Sequence, residues 1–265
     1  MPVVSHAHSI GPPVVTLNGV GKTFANGIVA LDRLSLDVWP GEFVSLLGPS
    51  GCGKSTALRL IAGLSEPTRG SIDWFGAAKA DRGAREIGFV FQEPTLMPWA
   101  SVRTNVRLPL KLKGSAGGSE ARIDAALELV GLAGFATSYP RELSGGMKMR
   151  TSIARALVTE PGLLLMDEPF AALDEITRFK LNNDLLTLWQ SLGKTVVFVT
   201  HSVFESVYLS QRIVVMTPRP GRVFTELAID APYPRDERFR TSAEYAGYCR
   251  RASEALAGAM TAGEA

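Results

Sequence analysis

The sequence has few cysteines, little net charge and no long apolar run. Cysteine occurs only at Cys52 and Cys249 in 265 residues, which argues against a disulfide framework and fits a reducing compartment. The 28 basic and 26 acidic residues form no basic block, so there is no electrostatic case for a nucleic-acid partner. No stretch approaches the roughly 18 to 20 apolar residues that cross a bilayer, and no secretory signal is expected at the N-terminus.

The distribution of apolar residues predicts an α/β fold with a mostly parallel sheet. Continuous apolar runs at Leu163–Met166 and Val196–Thr200 are typical of strands that are covered on both faces, and Phe43–Leu47 is a further apolar strand. Stretches with helical periodicity alternate with these runs, as in right-handed α/β folds. The stretch Glu93–Pro140 interrupts the alternation. We interpret it as a helical insertion between two halves of the core.

Residues 48–55 form a glycine-rich segment with the pattern G-x-x-x-x-G-K-[ST]. It follows the predicted strand Phe43–Leu47 and precedes a predicted helix from Lys54 to about Leu64. Such a loop directs backbone N–H groups at anionic oxygens, and the positive end of the helix adds to the attraction. Lys54 is predicted to contact the β- and γ-phosphates, and Ser55 is predicted to bind Mg²⁺. The segment therefore predicts a site for ATP or GTP with magnesium.

Polar side chains with possible catalytic roles follow three of the predicted strands. Asp167 and Glu168 end one strand, where Asp167 suits magnesium binding and Glu168 suits the positioning of an attacking water. Neighbouring residues of a strand point to opposite faces, so two roles are compatible. His201 follows the strand Val196–Thr200 at the edge where a γ-phosphate would lie. Gln92 follows another strand and could reach magnesium or the water.

A second glycine-rich turn occurs at residues 143–147, with the sequence Leu-Ser-Gly-Gly-Met. Ser144 is predicted to be a helix N-cap, and Gly145 and Gly146 expose backbone donors at the start of that helix. The turn therefore predicts a second anion site. One ATP cannot use both sites of one chain if the helical insertion holds them apart. A second copy of the chain would then supply this site in trans.

Together these motifs resemble those of ATP-binding cassette (ABC) transporter ATPases, over roughly residues 14–230. The resemblance implies a phosphate-loop NTPase core with an N-terminal antiparallel β subdomain and a helical subdomain at about residues 93–160. Outside it, we expect a mobile tail at residues 1–13 and a C-terminal helical extension at residues 231–265. Met147 departs from the family, in which glutamine is commonest there. The effect should be modest, because Ser144 and the backbone donors are kept.

The resemblance also implies roles for individual positions. Phe24 lies where the family stacks an aromatic ring on adenine, and Asp174 ends a loop that has a named role in the family. Glu168, His201 and Gln92 would act in hydrolysis. Ser55, Gln92 and Asp167 would bind Mg²⁺. The residues expected to contact ATP are Phe24, Gly48, Pro49, Ser50, Gly51, Cys52, Gly53, Lys54, Ser55, Thr56, Ser144, Gly145, Gly146 and Asp174.

Three further features narrow the resemblance to one group of bacterial importers. Residues 92–102, residues 174–178 and Trp189 resemble the importers of nitrate, sulfonate, taurine and related small solutes. This resemblance implies a pair of ATP-binding subunits, in a homodimer, on the cytoplasmic face of the inner membrane. It also implies a membrane permease and an external solute-binding protein, which select the solute. Residues 96–99 are interpreted as a surface groove for a permease helix, or alternatively as packing inside the helical subdomain.

Other classes of protein remain open from the sequence. Soluble ABC ATPases of DNA repair carry a long coiled coil, and those of translation carry two cassettes, and neither feature occurs here. A phosphate-loop kinase or GTPase would leave residues 143–147 and His201 without a role, and no guanine-reading Asn-Lys-x-Asp is present. An exporter subunit is a further alternative. The ATPase subunit of an importer is the leading hypothesis.

Overall fold

The chain divides into two compact units in a computed structural model that describes residues 11–74, 86–114 and 119–262. The first unit comprises the described residues up to 74 together with those from 193 onward. The second unit comprises the described residues from 86 to 192. The predicted tail at residues 1–13 lies, apart from residues 11–13, outside the described residues.

The first unit contains a three-stranded antiparallel sheet, as the resemblance implied. Its strands are β1 (Val15–Thr23), β2 (Val29–Val38) and β4 (Arg69–Trp74), in the order β2-β1-β4. The central strand β1 pairs antiparallel with both neighbours. The pairing of β1 with β2 is irregular between Leu17 and Val20.

The first unit also contains the mostly parallel strands that the apolar runs predicted. The strands β3 (Phe43–Leu47), β7 (Thr195–Thr200), β8 (Arg212–Met216) and β9 (Val223–Ala228) lie in the order β7-β3-β8-β9. Strand β3 is parallel to β7 and β8, whereas β9 is antiparallel to β8. Every residue of β3, β7 and β8 is buried. Strands that are covered on both faces have largely apolar sequences, which is why β3 and β7 could be predicted.

The described residues of the first unit form four helices. They are α1 (Lys54–Ile61), α6 (Val203–Leu209), α7 (Glu237–Arg240) and α8 (Ala243–Ala262). Helix α1 ends at Ile61 rather than near Leu64, because the N–H groups of Gly63 and Leu64 turn back to the carbonyls of Leu60 and Arg59. Helix α8 packs against α6, β8 and β9. Its buried residues include Cys249, which, like Cys52, forms no disulfide bond within the described residues.

In the second unit, the described residues form a parallel strand pair and four α-helices. Strand β5 (Ile87–Val90) runs parallel to β6 (Leu163–Asp167). Helices α2 (Val102–Leu112) and α3 (Glu120–Leu129) lie within the predicted insertion, and α2 packs against α3 and against α4 (Gly145–Leu157). Helix α5 (Glu175–Leu192) completes the unit. Among the helices of the described residues, none combines the length and apolarity that a membrane span requires.

Candidate active site

In the first unit, the phosphate loop and His201 leave the sheet at the same edge. The register of the parallel pair β3 and β7 places Leu47 opposite Thr200. Gly48 and His201 directly follow these two residues, so both lie beyond the carboxyl ends of neighbouring strands. Parallel α/β sheets bind ligands at this edge. His201 is exposed there.

The backbone of the phosphate loop fits an anion. Gly53 precedes α1 with φ +109°, and a Cβ there would lie 2.7 Å from Leu31 Cδ2 and 2.8 Å from the Ala30 carbonyl oxygen. Only glycine therefore fits this position without rearrangement. Helix α1 receives no side-chain cap from its N-cap residue, because that residue is Gly53. Its N–H groups need an acceptor from elsewhere, and phosphate oxygens are suitable acceptors.

Lys54 is buried against the loop that it follows. The side chain is 4% exposed, and Nζ donates hydrogen bonds to the carbonyl oxygens of Gly48 at 2.8 Å and Pro49 at 3.0 Å. The ammonium group thus lies beside the loop backbone, where a bound phosphate needs a positive charge. Ser55 and Thr56 are half-buried in the first turn of α1. The Ser55 hydroxyl offers an oxygen ligand of the kind that Mg²⁺ prefers.

A turn near residue 220 supports the phosphate loop, and the sequence motifs did not reveal it. Arg219 donates from Nε and Nη2 to the Gly51 carbonyl oxygen, at 3.2 and 3.0 Å. Gly221 lies so close to the loop that an added Cβ would be 2.1 Å from the Cys52 carbonyl oxygen. Its own N–H donates to the Ala30 carbonyl at 2.9 Å. A lone arginine and a lone glycine, distant in sequence from the loop, form no recognisable pattern.

Replacing Gly221 with alanine should weaken ATP binding, because the new methyl group would force the loop backbone near Cys52 to move. Overpacking of this kind costs about 1 to 3 kcal/mol, so ATP affinity and thermal midpoint should both fall. Titration calorimetry and thermal unfolding measure the two effects. Gly247→Ala in α8 is the matched control, because an added Cβ there meets nothing within 4 Å. A lower midpoint with unchanged ATP affinity would contradict a role in the loop.

In the second unit, Gln92 and the two carboxylates share a strand edge in the same way. The register of β5 and β6 places Val90 opposite Met166. Gln92 and the pair Asp167 and Glu168 follow directly beyond these positions. Asp167 is buried, Glu168 is half-buried and Gln92 is exposed. The edge therefore collects the oxygen donors that a magnesium ion and an attacking water would need.

Glu168 has an unusual backbone conformation. Its φ is +44°, in the left-handed region that residues other than glycine rarely adopt. The Glu168 carbonyl accepts a hydrogen bond from the Ala171 N–H at 3.2 Å, which closes a turn after the strand. Such a conformation costs on the order of 1 to 3 kcal/mol and is found preferentially at functional sites. The fold thus fixes the direction in which this carboxylate leaves β6.

The second glycine-rich turn begins α4 as predicted. Ser144 is the N-cap, and its Oγ accepts a hydrogen bond from the Met147 N–H at 3.3 Å. Ser144 and Gly145 are exposed, so the start of this helix is open to a partner. Asp174 likewise caps the start of α5, where its Oδ1 accepts a hydrogen bond from the Thr177 N–H at 2.9 Å. This N–H lowers the pKa of Asp174, and contact of Asp174 with ATP stays a prediction.

The segment after Gln92 is held by an arginine of α4 that the sequence did not single out. Arg155 donates from Nη1 to the Thr95 carbonyl oxygen and from Nη2 to the Pro94 carbonyl oxygen, both at 2.8 Å. Thr95 has φ +46°, so these bonds fix a strained residue. Burial lowers the pKa of Arg155. Trp99, in the same segment, is 77% exposed, which contradicts packing inside the helical subdomain for this side chain, whereas Leu96 and Met97 are half-buried.

Phe24 follows the end of β1 in the turn toward β2. The Phe24 N–H donates to the Ile28 carbonyl at 2.9 Å, and the ring is 43% exposed. Ile28 and Val29 expose apolar surface in the same turn. An accessible aromatic ring among apolar neighbours suits stacking on a flat base. The adenine contact of Phe24 remains a prediction.

The fold and these motifs define a phosphate-loop ATPase of the cassette type. Comparison with known proteins agrees, because the family profile described as ABC transporter matches residues 31–171. The chain belongs to the ABC transporter family. As members of this family bind ATP and hydrolyse it, the chain is an ATPase.

Individual relatives match along most of the chain. An uncharacterised ABC transporter ATP-binding protein of Methanocaldococcus jannaschii is 50% identical over 241 residues, which cover 90% of this chain and 88% of the relative. An aliphatic sulfonates import ATP-binding protein of Burkholderia cenocepacia is 43% identical, covering 89% and 86%. A solved dimeric ATP-binding cassette in a post-hydrolysis state, bound to ADP and phosphate, is 37% identical with a TM-score of 0.70. That match covers 82% of this chain and all of the cassette.

Proposed function

We propose that this chain is the ATP-hydrolysing subunit of a bacterial importer, which takes up a small solute of the nitrate, sulfonate or taurine type through a membrane permease. The chain shares its family with a sulfonate importer, and this relative favours uptake over export. One observation carries the step from ATPase to transporter. The exposed Trp99 lies seven residues after Gln92, in a segment that Arg155 holds in place.

The chemistry of hydrolysis can be assigned to side chains of each unit. In the first unit, the loop N–H groups and Lys54 bind the phosphates, and His201 contacts the γ-phosphate. In the second unit, Glu168 orients and polarises the water that attacks γ-phosphorus, so that the bond to the ADP oxygen breaks. Ser55, Gln92 and Asp167 would hold Mg²⁺, which when bound neutralises charge on the β- and γ-phosphates. The products are ADP and inorganic phosphate.

The exposed turn at Ser144 suggests that two copies of the chain act together. In this proposal, each copy offers its Ser144 turn to the γ-phosphate of the ATP that its partner holds. The dimeric relative with bound ADP and phosphate supports a homodimer. The pair would attach to permease subunits on the cytoplasmic face of the inner membrane, as a peripheral complex. An external solute-binding protein would deliver the solute to the permease.

In this proposal, the segment from Gln92 to Trp99 transmits conformational changes at the nucleotide to the permease. Gln92 would respond to Mg²⁺ and the γ-phosphate at one end, and Trp99 would contact a cytoplasmic helix of the permease at the other. Arg155 connects the middle of this segment to α4, whose first turn carries Ser144. A shift of α4 on ATP binding would therefore also shift Trp99.

Co-purification tests the proposal most directly. The tagged full-length chain should isolate a polytopic permease from detergent-solubilised membranes, and the ATPase rate of the reconstituted complex should rise when its solute and solute-binding protein are supplied. Solute should accumulate inside vesicles only when ATP is on the side of this chain. Isolation of a soluble DNA-repair or translation complex, with no permease, would contradict the proposal.

Replacing Trp99 with alanine should separate ATP hydrolysis from transport. Buried aromatic anchors contribute about 2 kcal/mol or more to an interface, so permease capture should fall at least tenfold. The thermal midpoint of the free subunit should stay unchanged, because the Trp99 side chain is exposed in the free chain. Leu112→Ala, at a residue of α2 that is 79% exposed, is the matched control and should leave capture intact. A lower midpoint with normal capture would contradict docking at Trp99.

A further inference from the structure

The C-terminal extension contains a buried arginine that binds only backbone carbonyls. Arg235 is 4% exposed and forms no salt bridge with a carboxylate of the described residues. Its guanidinium lies against the rings of Tyr233 and Phe239, at 4.1 and 5.4 Å from their centroids. Burial lowers the pKa of Arg235, as expected for a cation without an acidic partner. The carbonyl acceptors are Val207 at 2.9 Å, Tyr208 at 3.1 Å, Ser210 at 2.8 Å, Ile229 at 3.2 Å and Ala231 at 3.0 Å.

Three of these five acceptors belong to the C-terminal end of α6. Val207 and Tyr208 lie in its last turn and Ser210 is its C-cap. Carbonyls at this end of a helix lack partners within the helix, and a cation there also interacts favourably with the helix dipole. The contact is reciprocal, because the Tyr208 hydroxyl donates to the Arg235 carbonyl oxygen at 2.7 Å. Arg235 therefore fixes the end of a helix that is only seven residues long.

The other end of α6 is tied to the turn that carries His201. The Ser202 Oγ caps α6 by accepting from the Glu205 N–H at 3.3 Å. The Ser202 N–H donates to the Thr200 hydroxyl at 3.0 Å, and that hydroxyl donates to the buried Glu205 carboxylate at 2.6 Å. These bonds surround His201 on both sides in sequence. A displacement of α6 would therefore displace His201.

Helix α8 adds a second contact between the extension and α6. The Tyr245 hydroxyl donates to the Phe204 carbonyl oxygen, in the first turn of α6, at 2.9 Å. Tyr245 is buried, so this bond lies away from bulk water. The extension thus holds α6 near both of its ends.

We propose that Arg235 is a positioning residue for ATP hydrolysis, because it holds α6 and thereby sets the position of His201 at the edge of β7. The inference rests on the role of His201 in the proposed function. In this proposal, the C-terminal extension keeps His201 in the position from which it contacts the γ-phosphate. A lysine cannot replace Arg235 fully, since one ammonium cannot reach carbonyls on both sides as the planar guanidinium does.

A double-mutant cycle in the full-length ATPase tests the inference. Arg235→Met should lower kcat by about 10- to 100-fold, the scale of a small misplacement of a catalytic group, with little change in the KM for ATP. His201→Ala should lower kcat at least as much. The double variant should be no slower than His201→Ala alone. Arg235→Lys should give an intermediate rate.

The possible outcomes separate this inference from the proposed function. If the losses in kcat from Arg235→Met and His201→Ala multiply, Arg235 acts independently of His201 and the inference is wrong. A change in KM for ATP without a change in kcat would overturn it as well. If His201→Ala alone leaves kcat unchanged, the assignment of His201 in the proposed function fails, and the inference fails with it.

Two further variants distinguish a loss of positioning from a general loss of stability. Tyr245→Phe keeps the ring and removes only the bond to Phe204, so it should lower kcat a few-fold, again without adding to His201→Ala. Arg212→Met removes a cation that is equally buried but is bound to Glu42 and Glu226 rather than to residues of α6. It should lower the thermal midpoint, and any loss of kcat should multiply with that of His201→Ala. Non-additivity in the Arg212 cycle would show general destabilisation and contradict the inference.

Discussion

Replacing Glu168 with glutamine should slow ATP turnover by about 10²-fold or more, the upper part of the range for a positioned acid–base group. Glutamine keeps the size and hydrogen-bonding reach of the side chain but removes the negative charge that polarises water. Nucleotide should still bind, because the phosphate loop and Lys54 are unchanged. Phosphate release measures turnover, and equilibrium titration with ATP measures binding. The variant should therefore accumulate in an ATP-bound state.

Glu160 offers a matched control for the Glu168 variant. It is also a glutamate of the second unit with positive φ, at +55°, but it is exposed and pairs with Arg122. Glu160→Gln should leave turnover unchanged, which separates the chemistry of Glu168 from its backbone strain. Lys54→Ala should instead weaken ATP binding, because the phosphates lose their cation. A wild-type rate for Glu168→Gln in the assembled complex would refute the catalytic assignment.

The two strand edges of the candidate site could be predicted because their sequences combine two independent signals. Leu163–Met166 is a continuous apolar run and Phe43–Leu47 is interrupted only by Ser45, as expected of strands that are covered on both faces, and each is followed at once by chemically distinctive residues. The register of β5 and β6, which the sequence did not predict, pairs Val90 with Met166 and so brings the two strand ends together. Candidate site residues that directly follow apolar strands could therefore be predicted from the sequence, but their pairing could not.

The supporting arginines could not be predicted, for a physical reason. Arg155, Arg219 and Arg235 each donate to backbone carbonyls, and every residue has such a carbonyl. Any residue can supply a carbonyl acceptor, so the acceptor position has no characteristic residue type. No sequence pattern or spacing therefore identifies an arginine and its carbonyl partner. The backbone conformation of individual residues could not be predicted from the sequence either. Positive φ at Thr95 and Glu168 depends on surrounding bonds rather than on residue type.

The exposed start of α4 has the largest consequence that remains to be tested. Ser144 uses its own oxygen to cap the helix, and Gly145 beside it is open to solvent. A helix N-terminus of this kind attracts an anion. If a second copy of the chain provides that anion with its ATP, then each nucleotide depends on residues of both copies. Damage in one copy should then affect the site of the other.

A mixed dimer with Ser144→Arg in one copy and Lys54→Ala in the other should recover activity that both homodimeric variants lack. In the trans arrangement, one composite site loses both of its halves and the other stays intact. Two equivalent sites in a symmetric dimer then predict about half of the wild-type rate. Different tags on the two copies allow the mixed dimer to be isolated, and phosphate release gives its rate.

The reverse combination distinguishes trans from cis sites. When both substitutions are placed in one copy and the other copy is wild type, a trans arrangement damages each composite site once, so activity should be lost. A cis arrangement predicts the opposite pair of results, because the wild-type copy would keep a complete site and the first mixture would have none. Activity in the second dimer but not in the first would therefore refute the trans site at Ser144. Activity in neither would show that turnover needs both sites intact.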